Sequence, residues 1–278
     1  FQGYVTARLN NAKLIYDSHE FWQEDISGYS FFVRFYYLLL EKILIRLADN
    51  FITINESFVN LFQEVYNVKP EKCLSLRTYR PYKEVFSAEF KDFYANIERP
   101  VFICTGSMHI LNYLSSLIDG FKIYNRGTLI FLGNPELETE SIYNNLIKKN
   151  NLENRVKVVP AVSYLKISDF IHFSDIGLLS SYHSELVSFQ MGSPSKLYDY
   201  INSGLAVLAA PTKENKRLLN ELKIGICYSS PDSPESIAES MRIITDRDNL
   251  NLFKKNCSNL SRILNWESEE KKLLKIFE

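Results

Sequence analysis

The chain has 278 residues, 46% of them hydrophobic, and its 32 Lys and Arg nearly cancel its 33 Asp and Glu to leave a formal net charge of -1. That length and apolar content support one large or two medium cores, and a charge so close to zero gives no electrostatic drive toward nucleic acid. Its four cysteines, Cys73, Cys104, Cys227 and Cys257, are far apart and show no metal-ligand spacing. Buried reduced thiols of a cytoplasmic protein are therefore expected, and neither a secretory opening nor an internal repeat is evident.

Residues 1–11 have helical apolar spacing and lead into Leu14, Ile15 and Tyr16, a buried-strand candidate. The strand runs out in Asp17, Ser18, His19 and Glu20. Polar residues there can cap a following helix, or they can face a ligand at a strand's carboxyl end. Residues 31–47 are the most apolar part of the chain, but Arg34, Glu41, Lys42 and Arg46 interrupt them too often for a spanning helix. Phe32, Phe35, Leu39, Ile43 and Leu47 mark one helical stripe, for which core packing is the default. The aromatic and basic side of the same helix could instead lie on a membrane surface. A short strand over residues 49–54 follows, then Asn55 capping a helix to Tyr66, and a last strand over residues 73–76. Arg77 and Arg80 leave it as exposed linker charges.

From Val101 onward strands and helices alternate regularly, which predicts a doubly wound sheet with its ligand crevice at the strand carboxyl ends. Strand-like runs lie at residues 101–104, 129–132, 156–159, 176–179, 206–209 and 224–228. The turn after the first of them carries Gly106 and, further on, His109; the loop after the third carries Val162. A lone glycine is no dinucleotide fingerprint, but it lets backbone approach a phosphate closely. His172 reads as a core residue, and His183 and Glu185 precede the most informative stretch, which runs from Ser193 to Gly204.

In that stretch Ser193 or Ser195 can cap a helix, Pro194 suits its start, Lys196 lies in its first turn and Gly204 supplies a left-handed stop. The macrodipole disfavours a cation at that end, and an anion would relieve the repulsion. Asp199 falls one turn on, beside Lys196 and Ser195, and can accept hydrogen bonds from ribose hydroxyls. Helix tip and Lys196 on phosphate with Asp199 on ribose would fit a nucleoside diphosphate. A solvated Lys–Asp pair on an ordinary capped helix fits the same residues.

The run Ser-Pro-Ser-Lys-Leu-Tyr-Asp-Tyr-Ile-Asn-Ser-Gly from Ser193 resembles the donor-binding signature of the retaining GT-B fold glycosyltransferases of family 4, the glycosyl transferases group 1. Asp199 stands where that family usually has Glu, Ala206 where it has Pro, and Met191 where an earlier Glu often faces the donor sugar. Tyr16 to Glu20 is similar to the family's Tyr-Asp-x-His-Glu run, so the resemblance implies His19, and secondarily Glu20, near the reacting centre. It implies Gly106, Val162, Ser195, Lys196 and Asp199 as nucleotide-sugar contacts, with Val162 in the segment whose backbone meets the base. The Arg and Lys that the family places in or just after the Gly106 turn are missing, which implies either weaker donor binding or substitution by Arg77 or Arg80.

What the resemblance implies overall is an α/β chain of GT-B type. A partial N-terminal, acceptor-side Rossmann-like domain would span residues 1–98, truncated relative to a complete enzyme, and a complete nucleotide-sugar domain residues 99–262. A helix over residues 263–278 would cross back to the first domain. The expected activity is transfer of a hexose-class sugar, with retention, from a nucleoside diphosphate sugar to a sugar or lipid-linked hydroxyl acceptor in polysaccharide or glycolipid synthesis. Neither metal nor other cofactor is expected, and the setting would be cytoplasmic, with peripheral contact at the inner membrane face. The alternatives are a nucleotide-sugar epimerase or hydrolase on the same fold, and a non-catalytic donor-binding remnant.

Overall fold

The computed structural model describes the chain except residues 1, 22–23, 25–27, 107–112, 182–184 and 278. It divides into two compact units: Phe1–Thr78 with Ser184–Ser193 and Glu267–Glu278, and Tyr79–His183 with Pro194–Trp266.

In the first unit β1 (Ile15–Ser18), β2 (Asn50–Thr53) and β3 (Cys73–Ser75) form a parallel sheet in that order. Parallel neighbours need long crossovers, supplied by the helices Phe31–Leu47 and Glu56–Tyr66. Asn55 begins the second of these as its sequence suggests, its Oδ1 accepting the Phe58 N–H at 2.8 Å. Phe51, Phe58, Phe62 and Ile45 fill the core without any exposure. At the other end of the chain the helix Trp266–Leu274 supplies Glu269, whose Oε2 accepts the Arg77 backbone N–H at 3.1 Å. Asp17 and Ser18 lie inside β1, so neither starts a helix.

The helix Phe31–Leu47 corrects a sequence expectation. Its stripe is turned outward: Phe32 is 82% exposed, Phe35 59% and Leu39 46%. Glu41 and Ile45 form the buried side instead. Glu41 accepts the Tyr16 hydroxyl at 3.1 Å and the Tyr66 hydroxyl as well. A buried carboxylate without donors costs far more than an exposed phenylalanine, so the two phenols decide the helix's rotation. Burial, opposed by the Tyr66 and Tyr16 hydrogen bonds, raises the Glu41 carboxyl above its ordinary value.

In the second unit β4 (Val101–Thr105), β5 (Thr128–Leu132), β6 (Val156–Val159), β7 (Ile176–Leu179), β8 (Ala206–Ala209) and β9 (Gly225–Cys227) form one sheet, all neighbours parallel, in the order β6-β5-β4-β7-β8-β9. Every residue of β4, β5, β7 and β8 is buried, as continuous apolar runs demand of strands covered on both faces. Alternation sends Phe102 and Cys104 into one core and Val101 and Ile103 into the other.

Residues 79–98, grouped by sequence with the first domain, belong to the second unit. Tyr79 meets the Tyr198 ring edge-on at 4.6 Å, the Ser87 N–H donates to Asp169 at 2.8 Å, and the Tyr94 and Ser174 hydroxyls lie 3.0 Å apart. Arg77 and Arg80, expected as exposed linker charges, have side chains only 10% and 11% exposed. Arg77 pairs with Glu56, and Arg80 grips both Asp199 oxygens, Nη2 to Oδ2 at 3.1 Å and Nε to Oδ1.

Two outcomes follow. Because the Glu41 carboxyl binds its proton more tightly folded than unfolded, its ionisation opposes folding as pH rises from the unfolded carboxyl value through the raised folded one. Going from about pH 7 to about pH 5 should therefore stabilise the wild type relative to Glu41→Gln in thermal melts, and a constant difference would show that the carboxyl is not shifted. Arg80→Ala leaves Asp199 buried without its partner and should cost about 3–5 kcal/mol in denaturant titration, with Arg80→Ala/Asp199→Asn losing less. A loss below about 1 kcal/mol would mean that solvent screens the pair.

Candidate active site

The strand order of the second sheet reverses between β4 and β7: from β4 the chain winds outward to β6, and from β7 to β9. Loops leaving the carboxyl ends of two such strands diverge, and the crevice between them is where open parallel sheets bind ligands. Residues from three loops and one helix meet there.

The turn after β4 begins Thr105–Gly106, and Gly106 has φ 116°, a conformation that suits glycine. Its N–H donates to the Leu132 carbonyl at 3.1 Å, which ties the turn to the end of β5. A Cβ on Gly106 would stand 3.3 Å from Lys196 Nζ, so the ammonium lies directly against the turn and a side chain at 106 would push it away. Lys196 comes from the helix Ser195–Asn202, which has Pro194 at its N-cap and ends in a left-handed Gly204 with φ 74°. No side chain caps that helix, which corrects the capping role given to Ser193 or Ser195. In the first unit, the Ser193 hydroxyl accepts from Asn55 Nδ2 at 3.0 Å. Among the described residues Lys196 has no ion-pair partner, so its charge at the helix N-terminus points to an anion as its partner.

Beside the turn is a cavity of about 230 Å³ lined by Thr105, Gly106, Leu132, Gly133, Asn134 and Val162 among others. Gly106 and Val162 are thus brought to one cavity by the loops after β4 and β6. Asn134 shapes it in a way the sequence does not signal: its Oδ1 accepts the Ala161 N–H at 2.8 Å and fixes the β6 loop over the β5 loop.

Asp199 is 5% exposed and its carboxylate is committed to Arg80, whose guanidinium lies 3.5 Å from the Tyr164 ring centroid. No sequence pattern links residues 80, 164 and 199. A carboxylate has about four acceptor sites and Arg80 takes two, so Asp199 keeps acceptor capacity beside the guanidinium. Ser195 is exposed at the helix tip.

His19 and Glu20 follow β1 in the first unit, and both are exposed. His19 Nε2 lies 3.3 Å from Asp17 Oδ2, and the Glu20 backbone carbonyl accepts the Ser18 hydroxyl at 3.0 Å. His109 and His183 lie outside the described residues, and Glu185 is exposed. His172 is not a core residue: it is exposed at the end of a short helix, with Nδ1 3.1 Å from the Ser203 carbonyl and its ring flat on Phe86 at 3.9 Å.

Residues 86–259 match the family model of the glycosyl transferases group 1. No curated protein matches the sequence. Among solved structures, Anabaena HepE in complex with UDP is similar at 14% identity and TM-score 0.76, over 99% of this chain and 74% of its own. A glycosyltransferase from Rickettsia africae is similar at 12% identity and TM-score 0.70, over 99% of this chain and 72% of its own. The sucrose-phosphate synthase of Thermosynechococcus elongatus is similar at 15% identity and TM-score 0.71, over 99% and 70%. At such identities the likeness establishes the fold, GT-B with Rossmann-like parallel sheets. With the family model matching more than half of its length, the chain belongs to the glycosyl transferases group 1 family.

Proposed function

We propose that this chain transfers a hexose-class sugar from a nucleoside diphosphate sugar to a hydroxyl acceptor with retention, as a family 4 type enzyme. The observation that carries the reading is the Lys196 ammonium held against the Gly106 turn at a helix N-terminus. As the glycosidic bond breaks, negative charge collects on the leaving diphosphate. Fixed positive groups aimed at that charge lower the barrier without having to reorganise. Lys196 and the helix end supply them, so no resident metal or cofactor is assigned.

The base occupies the cavity edged by Gly106 and Val162, and Ser195 at the helix tip donates to phosphate. Asp199 accepts from the ribose while Arg80 holds its carboxylate in place. Anabaena HepE, solved with UDP and with UDP-glucose, favours uridine diphosphate as the first nucleotide to test. His19 acts on the sugar or the leaving phosphate, its ring oriented by Asp17, with Glu20 as a second group.

The acceptor belongs to polysaccharide or glycolipid synthesis in the cytoplasm. The observation favouring a lipid-linked acceptor is the outward face of the helix Phe31–Leu47, where Phe31, Phe32, Phe35 and Tyr36 stand exposed beside Arg34 and Lys42. Aromatic rings with cations at their edge suit the inner surface of a membrane. No helix among the described residues is long and apolar enough to cross one. Wild type should co-sediment with anionic vesicles and Phe32→Ser/Phe35→Ser should not; equal binding by the two would remove the membrane from this reading.

Thermal melts against a panel of nucleoside diphosphates test the donor site. A ligand at 100 times its Kd stabilises the folded state by about 2.7 kcal/mol. The wild type should be stabilised by at least one diphosphate, and Lys196→Ala should lose that shift while melting normally without ligand. An unchanged shift in Lys196→Ala would contradict the assignment. With labelled donor, product should form only when acceptor is present and should keep the donor's anomeric configuration. Acceptor-independent release would favour a hydrolase.

A further inference from the structure

Tyr200 projects from the same helix as Lys196 into the sheet and is completely buried. Packing calls for the ring and does not call for its hydroxyl, because a phenylalanine would fill the same space. Burying a hydroxyl is costly unless it is bonded, and this one is bonded twice. It accepts the Thr105 backbone N–H at 3.2 Å and donates to the Leu178 carbonyl of β7 at 3.2 Å, with Thr105 Oγ1 3.3 Å away.

The position of those bonds is what gives them meaning. β4 pairs with β7 only through Phe102 and Ile103. Successive N–H groups of a strand point to opposite neighbours, so where Gly106 donates toward β5, Thr105 points toward β7. There the ladder has ended, and the phenol replaces the missing strand acceptor. β7 is shaped to admit it: a Cβ on Gly177 would lie 2.2 Å from the Tyr200 ring. Desolvation raises the phenol's ionisation well above its ordinary value, so the donor proton stays in place.

We propose that the Tyr200 hydroxyl is a positioning residue for the diphosphate site, holding the diverging end of β4 so that the Gly106 turn stays beneath Lys196. The helix that carries the cation thereby also fixes the turn facing it. This inference rests on the reading that the turn and Lys196 hold a diphosphate.

The test compares UDP with uridine in titration calorimetry, using wild type, Tyr200→Phe and Ile103→Val, the last of which thins the same core and keeps the Tyr200 hydroxyl. Wild type should prefer UDP to uridine. Tyr200→Phe should weaken UDP by about tenfold while uridine changes by less than about twofold, and Ile103→Val should keep the wild-type preference. Loss of the UDP preference in both variants would make the effect one of general stability and overturn the inference. Unchanged UDP affinity in Tyr200→Phe would overturn it too, leaving the diphosphate reading intact, whereas a wild type indifferent to the diphosphate would overturn that reading itself. An arm needing no variant is amide exchange in the wild type. The Thr105 N–H should exchange as slowly as that of Ile103 and slow further with UDP; rapid exchange would overturn the inference.

Discussion

A lysine in the first turn of a helix stands where the macrodipole repels it, and Lys196 has no carboxylate among the described residues to offset the repulsion. Its ammonium rests against a glycine turn whose φ of 116° excludes most side chains. Charge, helix end and open turn are the three elements of an anion site, and the second unit brings them to one place. The sheet order explains how, since β4 delivers the turn and the helix before β8 delivers the cation to the point where the winding reverses.

Around that point the polar groups are committed in an order that burial dictates. Arg80 and Asp199 are both almost sealed, so they pair with each other. Their pairing also explains why residues 79–98 belong with the second unit, because Arg80 and Tyr79 both anchor to the helix Ser195–Asn202. Asp199 therefore has a structural partner as well as the ribose contact proposed for it, and its orientation is set before any ligand arrives. The first unit follows the same rule at Glu41, where two phenols and a buried carboxylate outrank a stripe of aromatic residues.

Much of the second sheet is legible in the sequence. Short continuous apolar runs such as Ala206 to Ala209 and Val101 to Cys104 have few other uses than as strands buried on both faces. The signature helix is legible too, down to its proline start and glycine stop, and so are Gly106, Val162 and Lys196 as neighbours of one crevice. The contacts that hold the crevice together are not. Tyr200 to Thr105, Arg80 to Asp199 and Asn134 to Ala161 join residues distant in the chain, and neither spacing nor periodicity marks them. The outward stripe on the helix Phe31–Leu47 is missed for a related reason, since helical periodicity locates a stripe without saying which side the sheet will claim.

The most direct measurement is a crystal structure of the protein with UDP. The account predicts the pyrophosphate against the Lys196 ammonium and the Gly106 turn, with uracil in the cavity of about 230 Å³ edged by Val162. A pyrophosphate bound elsewhere, away from the Lys196 ammonium and the Gly106 turn, would contradict it.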